Sequence, residues 1–195
     1  MNEEFITNPE LLKALEGRQF IVLRPIDPIA SYYRVVQQQL KSVMPTNITY
    51  PNTAHVTLRG FSEPNSLSKL QGSTEKWATS LAPIRVAIED ISYFDAPYKV
   101  VFLKIISTDE LKRTYSSLSD VVVSDNLQTI DVERDENEWI FHMSLAYCAD
   151  TSDEEWRQIK DTVNNFKIKK MNCTVDSAEL VEYKNGEHRS VYSLD

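Results

Sequence analysis

One short pattern occurs twice in this chain of 195 residues, once in each half, as HVTL at positions 55–58 and HMSL at 142–145. Both copies lie in apolar runs, Ala54 to Phe61 and Trp139 to Cys148, whose length and residue types are those of buried strands. Because successive side chains of a strand point to opposite faces, each copy should place an imidazole and a hydroxyl on one face. Two such strands facing each other would form a site with two proton-transfer groups and two hydrogen-bond donors.

Strand parity assigns two further side chains near these motifs. It adds Arg59 to the face of His55 and Thr57, where the guanidinium could bind a phosphate oxygen in a bidentate manner. The alternative is a rim salt bridge with one of the many carboxylates, and the sequence leaves both open. On the second strand, parity turns Tyr147 away from the motif face and toward the core.

The residue types of the motifs suit phosphodiester cleavage. A single histidine in such a strand is more often structural, but two of the three histidines here repeat one pattern, which favours a shared catalytic site. With an ordinary pKa of about 6.5, one of His55 and His142 can accept a proton while the other donates one. Thr57 and Ser144 can donate hydrogen bonds to phosphate oxygens as charge develops there. Which histidine is the base stays open.

A metal site is the main chemical alternative. Structural and catalytic zinc sites use three or four closely spaced His, Cys or carboxylate ligands. Cys148 and Cys173 are far apart in the sequence, and His188 lies near a predicted turn. We therefore expect neither a metal nor another cofactor.

With both motifs identified, the chain resembles the 2H phosphoesterase superfamily, which is named for two H-x-[T/S]-x motifs with apolar flanks. The resemblance implies an α+β fold that is bilobal and duplicated, with two antiparallel sheets backed by helices and a central cleft holding His55, Thr57, His142 and Ser144. It also implies metal-independent chemistry on 2′,3′-cyclic phosphates, 2′-5′-linked or cyclic nucleotides, or RNA ends. The run from 139 to 148 resembles the second motif of the branch that processes U6 RNA.

The order of predicted elements indicates one compact domain, residues 1–195, made of two pseudo-symmetric lobes. Helices are predicted at 8–17, 28–44, 66–81, 109–123 and 153–164, and strands at 18–25, 55–61, 84–94, 98–106, 139–148, 173–183 and 190–194. Asn185-Gly186 predicts a tight hairpin before the last strand.

Three aromatic residues are candidates for stacking on a base. Tyr98 and Phe94 flank the turn at 95–97, and Tyr50 comes just before the first motif. Base stacking is worth about 1–3 kcal/mol in single-strand recognition. The alternative for each is an ordinary position at the edge of the core.

The charge balance bears on the partner. With 21 basic and 29 acidic residues the net charge is −8, whereas proteins that follow long nucleic acids usually carry a basic stripe. We therefore expect a nucleotide or RNA-end substrate and no extended nucleic-acid binding. The absence of a long apolar run or a basic N-terminal region predicts a cytoplasmic protein without membrane contact, which we expect to be a monomer.

Two functions are compatible with these features. The first is a phosphodiesterase in which two histidines act as general acid and base. The second is a sensor that binds an RNA end or a nucleotide in the same cleft without turnover. Intact histidines and hydroxyls in both motifs favour catalysis, because a binder has no need of two titrating groups.

Overall fold

A computed structural model describes residues 15–61, 67–96, 98–130 and 136–184, and the backbone of 187–194. Within these ranges it has eight strands and four helices. The strands are β1 (Gln19–Leu23), β2 (Val56–Phe61), β3 (Ile84–Phe94), β4 (Val100–Ile105), β5 (His142–Tyr147), β6 (Asn172–Val175), β7 (Ala178–Lys184) and β8 (Glu187–Leu194). The helices are α1 (Ile29–Lys41), α2 (Leu67–Ala78), α3 (Asp109–Ser124) and α4 (Asp153–Asn165).

The strands form two antiparallel sheets, which confirms the predicted fold class. The first sheet has the order β2-β1-β7-β8 and the second has the order β5-β4-β3-β6. Each sheet combines strands from both halves of the chain, because the C-terminal hairpin joins β1 and β6 joins β3. The two motif strands, β2 and β5, are both edge strands.

One predicted strand was wrong. The run from 173 to 183 was expected to be a single strand, but it is divided between β6 in the second sheet and β7 in the first. Two residues, Asp176 and Ser177, separate them, and these polar side chains favour turns over strand ladders. The predicted helix at 8–17 lies almost entirely outside the described residues. The predicted turn at Asn185-Gly186 also lies outside them, but Lys184 and Glu187, on either side of it, are paired between β7 and β8.

The helices are fixed by capping and by apolar faces. Thr108 caps α3 by accepting a hydrogen bond from the Leu111 amide, and Ser152 with Glu155 forms a capping box at the start of α4. These helices bury one face each in the main core, which lies between the helices and one face of each sheet.

The opposite face of the first sheet carries a smaller apolar cluster. It consists of Phe20, Val22, Val181 and Tyr183, against which Leu15, Tyr98, Ile130 and Tyr147 pack. Tyr147 belongs to β5 and Tyr98 comes just before β4, and both strands are in the second sheet. This cluster therefore joins the two sheets on the side away from the main core.

Candidate active site

Backbone hydrogen bonds tie the second motif strand to the segment that precedes the first. The Thr49 amide donates to the Tyr147 carbonyl at 3.1 Å, and the Tyr147 amide donates to the Thr49 carbonyl at 2.8 Å. The segment that leads into the first motif therefore pairs with the last residue of β5, at the open edge of the second sheet.

Two polar side chains of α1 reinforce this junction. The buried Gln37 amide donates both of its hydrogens, one to the Pro51 carbonyl and one to the Leu145 carbonyl, each at 2.9 Å. The Tyr33 hydroxyl lies 2.7 Å from the Ser144 carbonyl. The approach to the first motif and the backbone of the second are thus held by the same helix.

We expect Gln37→Leu to destabilise the protein, because it leaves buried carbonyl groups without their donor while keeping a similar volume. The expected loss in the free energy of unfolding is about 1–3 kcal/mol. Chemical denaturation measures it, and the exposed Gln38→Leu on the same helix is the matched control. Equal stability of the two variants would show that the junction does not depend on Gln37.

Both motif histidines are anchored in the same way. The Nδ1 atom of His55 lies 3.1 Å from the Thr53 carbonyl oxygen, and Nδ1 of His142 lies 2.9 Å from the Ile140 carbonyl oxygen. A carbonyl oxygen can only accept, so each Nδ1 carries the hydrogen. In the neutral ring this makes Nε2 the unprotonated nitrogen that can take up a proton.

His142 sits against two aromatic rings. Its ring centroid is 5.0 Å from that of Phe94 and 5.2 Å from that of Phe102, with the rings inclined at 88° and 61°. Burial lowers the pKa of His142 below its ordinary value of 6.5, and the hydrogen bond to Ile140 opposes this only in part. His142 is therefore neutral at pH 7.

A β-bulge interrupts each motif strand at the same point. In the first sheet, Val22 pairs with Thr57 but the adjacent Ile21 pairs with Arg59, so that Leu58 is the extra residue. In the second sheet, Phe102 pairs with Ser144 and Val101 pairs with Ala146, so that Leu145 is the extra residue. Both bulges fall on the last residue of a motif, and beyond each bulge the alternation of faces is reversed.

The first bulge moves Arg59 off the face of Thr57, so the prediction that they share a face was wrong. Arg59 lies on the core side opposite Ile21, is only 2% exposed, and donates from Nη2 to Ser119 Oγ at 2.7 Å. Its guanidinium carbon is 4.4 Å from the centroid of the Tyr115 ring. It lines a cavity of about 310 Å³ beside α3, not one shared with His55. Among the described residues, Arg59 forms no salt bridge with a carboxylate either.

The second bulge has the opposite effect on Tyr147. Tyr147 pairs with Val100, which lies on the same face as Phe102, the partner of Ser144. Tyr147 therefore shares the face of Ser144 and does not turn toward the main core as predicted. Its side chain packs against the smaller apolar cluster.

The motif hydroxyls and the three aromatic candidates are placed differently. Thr57 and Ser144 are half-buried, and each lies before the bulge of its strand. Phe94 contacts His142, and Tyr98 packs on the smaller apolar cluster, so both border the motif faces. Tyr50 is only 7% exposed, belongs to the main core and has the Lys41 ammonium 4.7 Å from its ring centroid. Tyr50 is therefore an ordinary residue of the core and not a candidate for stacking on a base.

Arg24, which the motif patterns do not include, is a cation near the first motif. Arg24 donates from Nη1 to Thr53 Oγ1 at 2.8 Å and pairs through Nε with Glu179 at 2.9 Å. Thr53 is also the residue whose carbonyl anchors His55. Strand parity from Phe20 and Val22 would have placed Arg24 on this face.

The charged and sulfur groups outside the motifs do not add a ligand cluster. Among the residues that the structure describes, no group of three or more His, Cys, Asp and Glu is arranged to hold a metal ion. Cys148 and Cys173 are both free and buried, and burial raises the pKa of Cys148 to about 12. Within the described ranges, no helix combines the length and apolarity needed to cross a membrane.

Comparison with known proteins agrees with this geometry. The family model of the 2′-5′ RNA ligase superfamily matches residues 35–187. The TT0787 structure from Thermus thermophilus superposes with a TM-score of 0.65 at 14% identity and covers 90% of this chain and 96% of that chain. Escherichia coli LigT, complexed with 3′-AMP, gives 0.63 at 15% identity and covers 92% and 95%. Kluyveromyces marxianus Usb1 gives 0.57 at 13% identity and covers 93% and 99%. Among curated proteins, none matches the sequence.

The paired motifs, the two-sheet fold and the family match define the class. The chain belongs to the 2′-5′ RNA ligase superfamily, that is, to the 2H phosphoesterases. It is therefore assigned to a superfamily of enzymes that act on phosphodiester bonds.

Proposed function

We propose that this protein is a metal-independent phosphodiesterase that opens 2′,3′-cyclic phosphates or cleaves 2′-5′-linked or cyclic nucleotides. The observation that carries the proposal is the matched pair of histidines, each with Nδ1 held by a backbone carbonyl two residues earlier in the chain. This anchoring fixes the ring and, in the neutral form, makes Nε2 the nitrogen that can exchange a proton in both motifs. The same anchoring in both motifs, each on an edge strand, supports a shared role for the two histidines over two unrelated structural ones.

In the hydrolytic direction one histidine is the base and the other is the acid. His142, neutral beside Phe94 and Phe102, is suited to take the proton of the attacking water. The water oxygen then bonds to phosphorus, the P–O bond of the leaving ribose oxygen breaks, and protonated His55 donates its proton to that oxygen. Thr57 and Ser144 stabilise the non-bridging oxygens.

The charge of the protein favours a small or terminal substrate. With a net charge of −8, the chain lacks the excess of basic residues that usually accompanies binding along an extended strand. Near the first motif, Arg24 is the cation best placed to approach a phosphate, although Glu179 already compensates part of its charge. Phe94 and Tyr98 border the motif faces and are the candidates for contact with a base. We further propose that the protein acts as a monomer in the cytoplasm.

The direct test is incubation in EDTA with 2′,3′-cyclic nucleotides, 2′-5′ dinucleotides and cyclic dinucleotides, followed by chromatography of the products. We expect turnover of at least one of these classes. No turnover of any would favour the alternative, a nucleotide or RNA-end sensor. Activity that disappears in EDTA and returns with one divalent ion would contradict metal independence.

The depressed pKa of His142 predicts the shape of the pH profile. A base must be neutral to act, and burial places the pKa of His142 below 6.5. Since the neutral form is lost only as the pH falls through that lowered pKa, the acidic limb of the kcat profile should lie below pH 6.5, and the alkaline limb should follow the loss of the proton that His55 donates. The measurement is kcat between pH 4.5 and 8, in steps of about half a unit, on the best substrate of the panel. If kcat already falls as the pH is lowered from above pH 7, His142 is not the base.

A further inference from the structure

Arg24 follows directly after β1 and lies beside the first motif. The last registered pair of β1 and β2 is Leu23 with Val56, so the next positions along the two chains are Arg24 and His55. Leu23 and Val56 belong to the main core, and successive side chains point to opposite faces of a sheet. Arg24 and His55 therefore start on the same face, the one away from the main core.

Two nitrogens of the Arg24 guanidinium have partners. Nε donates to the carboxylate of Glu179 on β7 at 2.9 Å, and Nη1 donates to Thr53 Oγ1 at 2.8 Å. The side chains of Arg24 and Glu179 are only 24% and 26% exposed, so solvent screens this ion pair in part. Because a guanidinium is planar and its donors have fixed directions, a partner at Nε limits where Nη1 can point. Glu179 thus directs the donor that Thr53 receives.

Thr53 connects this ion pair to the motif histidine. Its side-chain oxygen accepts from Arg24, and its backbone carbonyl oxygen lies 3.1 Å from Nδ1 of His55. Because both oxygens belong to one residue, holding Oγ1 restricts the movement of the carbonyl that the imidazole uses. Hydrogen bonds therefore run without a break from Glu179, on an interior strand of the first sheet, to the His55 ring.

The second motif holds its histidine by a different contact. Nδ1 of His142 is bonded to the Ile140 carbonyl, and the carbonyl of the next residue, Phe141, accepts from the Ile105 amide at 2.9 Å. The peptide that anchors His142 is therefore next to a backbone hydrogen bond to β4. Thr53 comes before the registered pairs of β2, and the contact that restrains it is made by a side chain.

We propose that Arg24 is a positioning residue for His55, acting through Thr53 to keep the imidazole in the form with hydrogen on Nδ1 and proton exchange at Nε2. The inference rests on the proposed phosphodiesterase function and deepens it. The two histidines then differ in support, because the orientation of His55 depends on the ion pair of Arg24 with Glu179.

The kinetic test is a double-mutant cycle of Arg24→Met and Thr53→Val. Met keeps an aliphatic stem without donors, and Val keeps the shape and the carbonyl of Thr53 without its hydroxyl. We expect either change to lower kcat about tenfold with KM changed less than about twofold, because a misoriented imidazole impairs proton transfer more than binding. The double variant should be scarcely slower than the slower single one, since residues that act through one contact are not additive.

The matched control is Arg157→Met, because Arg157 also pairs with a glutamate, Glu154, but on the exposed surface of α4. It should leave kcat and KM at their wild-type values. A rise in KM for Arg24→Met with kcat unchanged would show that Arg24 contacts the phosphate directly, and would overturn the positioning role. A loss in the double variant equal to the product of the single losses would also overturn it, since Arg24 would then not act through Thr53.

Histidine NMR separates this inference from the proposed function, because it needs no turnover. In ¹⁵N-histidine-labelled protein, the two ring nitrogen shifts of a neutral imidazole report which nitrogen carries the hydrogen. We expect wild-type His55 to carry it on Nδ1, and both single variants to show a mixture of tautomers while His142 is unchanged. An unchanged His55 in both variants, or an equal change at His142, would overturn the inference. The expected change at His55 in a protein without turnover would support the role of Arg24 and contradict only the phosphodiesterase proposal.

Discussion

Replacing either motif histidine by asparagine should reduce kcat by about 10²- to 10⁴-fold, the contribution expected of one general acid or base. Asparagine is the informative substitution because its amide can still donate to the Thr53 or Ile140 carbonyl that anchors Nδ1. The local strand geometry is thereby kept, and the titrating Nε2 is removed. Steady-state kinetics on the best substrate, together with thermal unfolding, measures the effect.

The double variant of His55 and His142 distinguishes a shared mechanism from two separate ones. Catalytic groups that act as a unit are strongly non-additive, so we expect the double variant to be scarcely slower than the slower single one. A double variant whose loss of kcat equals the product of the two single losses would contradict a mechanism in which both histidines transfer protons. So would a single variant that retains more than about a tenth of wild-type kcat.

The second large effect is expected at the motif hydroxyls. Thr57→Val and Ser144→Ala each remove a donor with little change of shape, and loss of one oxyanion donor typically costs about 10²- to 10³-fold in kcat. Both residues are half-buried, so each variant should fold with nearly wild-type stability.

Single-turnover kinetics with saturating enzyme checks this prediction, because it isolates the chemical step from product release. Arg59→Met is the matched control for the first motif. It changes a residue two positions from Thr57 that lies on the other face and contacts Ser119 and Tyr115. A loss at Arg59→Met as large as at Thr57→Val would show that the bulge does not separate these two residues functionally.

Local alternation in the sequence is enough to predict which residues of each motif share a face. His55 and Thr57, like His142 and Ser144, are two residues apart and lie before the bulge, so simple parity describes each pair. Arg59 and Tyr147 lie beyond it, and parity reverses there. Nothing in Leu58 or Leu145 indicates a bulge, because leucine suits a regular strand equally well.

Other features depend on contacts between distant parts of the chain. Gln37 and Tyr33 lie within the helix predicted at 28–44, but each bonds a backbone carbonyl more than 100 residues away, which the sequence does not indicate. The division of 173–183 between two sheets depends on which edges of β1 and β3 are open, and this is a property of the whole fold. Parity in β1 places Arg24 on the motif face, because Phe20 and Val22 lie on that face.

The central claim is that His55 and His142 bind one phosphate group from two lobes, and histidine NMR tests it most directly. The protein is labelled with ¹⁵N-histidine, the imidazole signals are assigned with the two asparagine variants, and 3′-AMP is titrated in EDTA. The account predicts that the Nε2 signals of both histidines shift together with a single Kd, and that either asparagine variant weakens the response of the other histidine. Shifts of only one histidine, or two histidines that respond with different Kd values, would contradict a shared site.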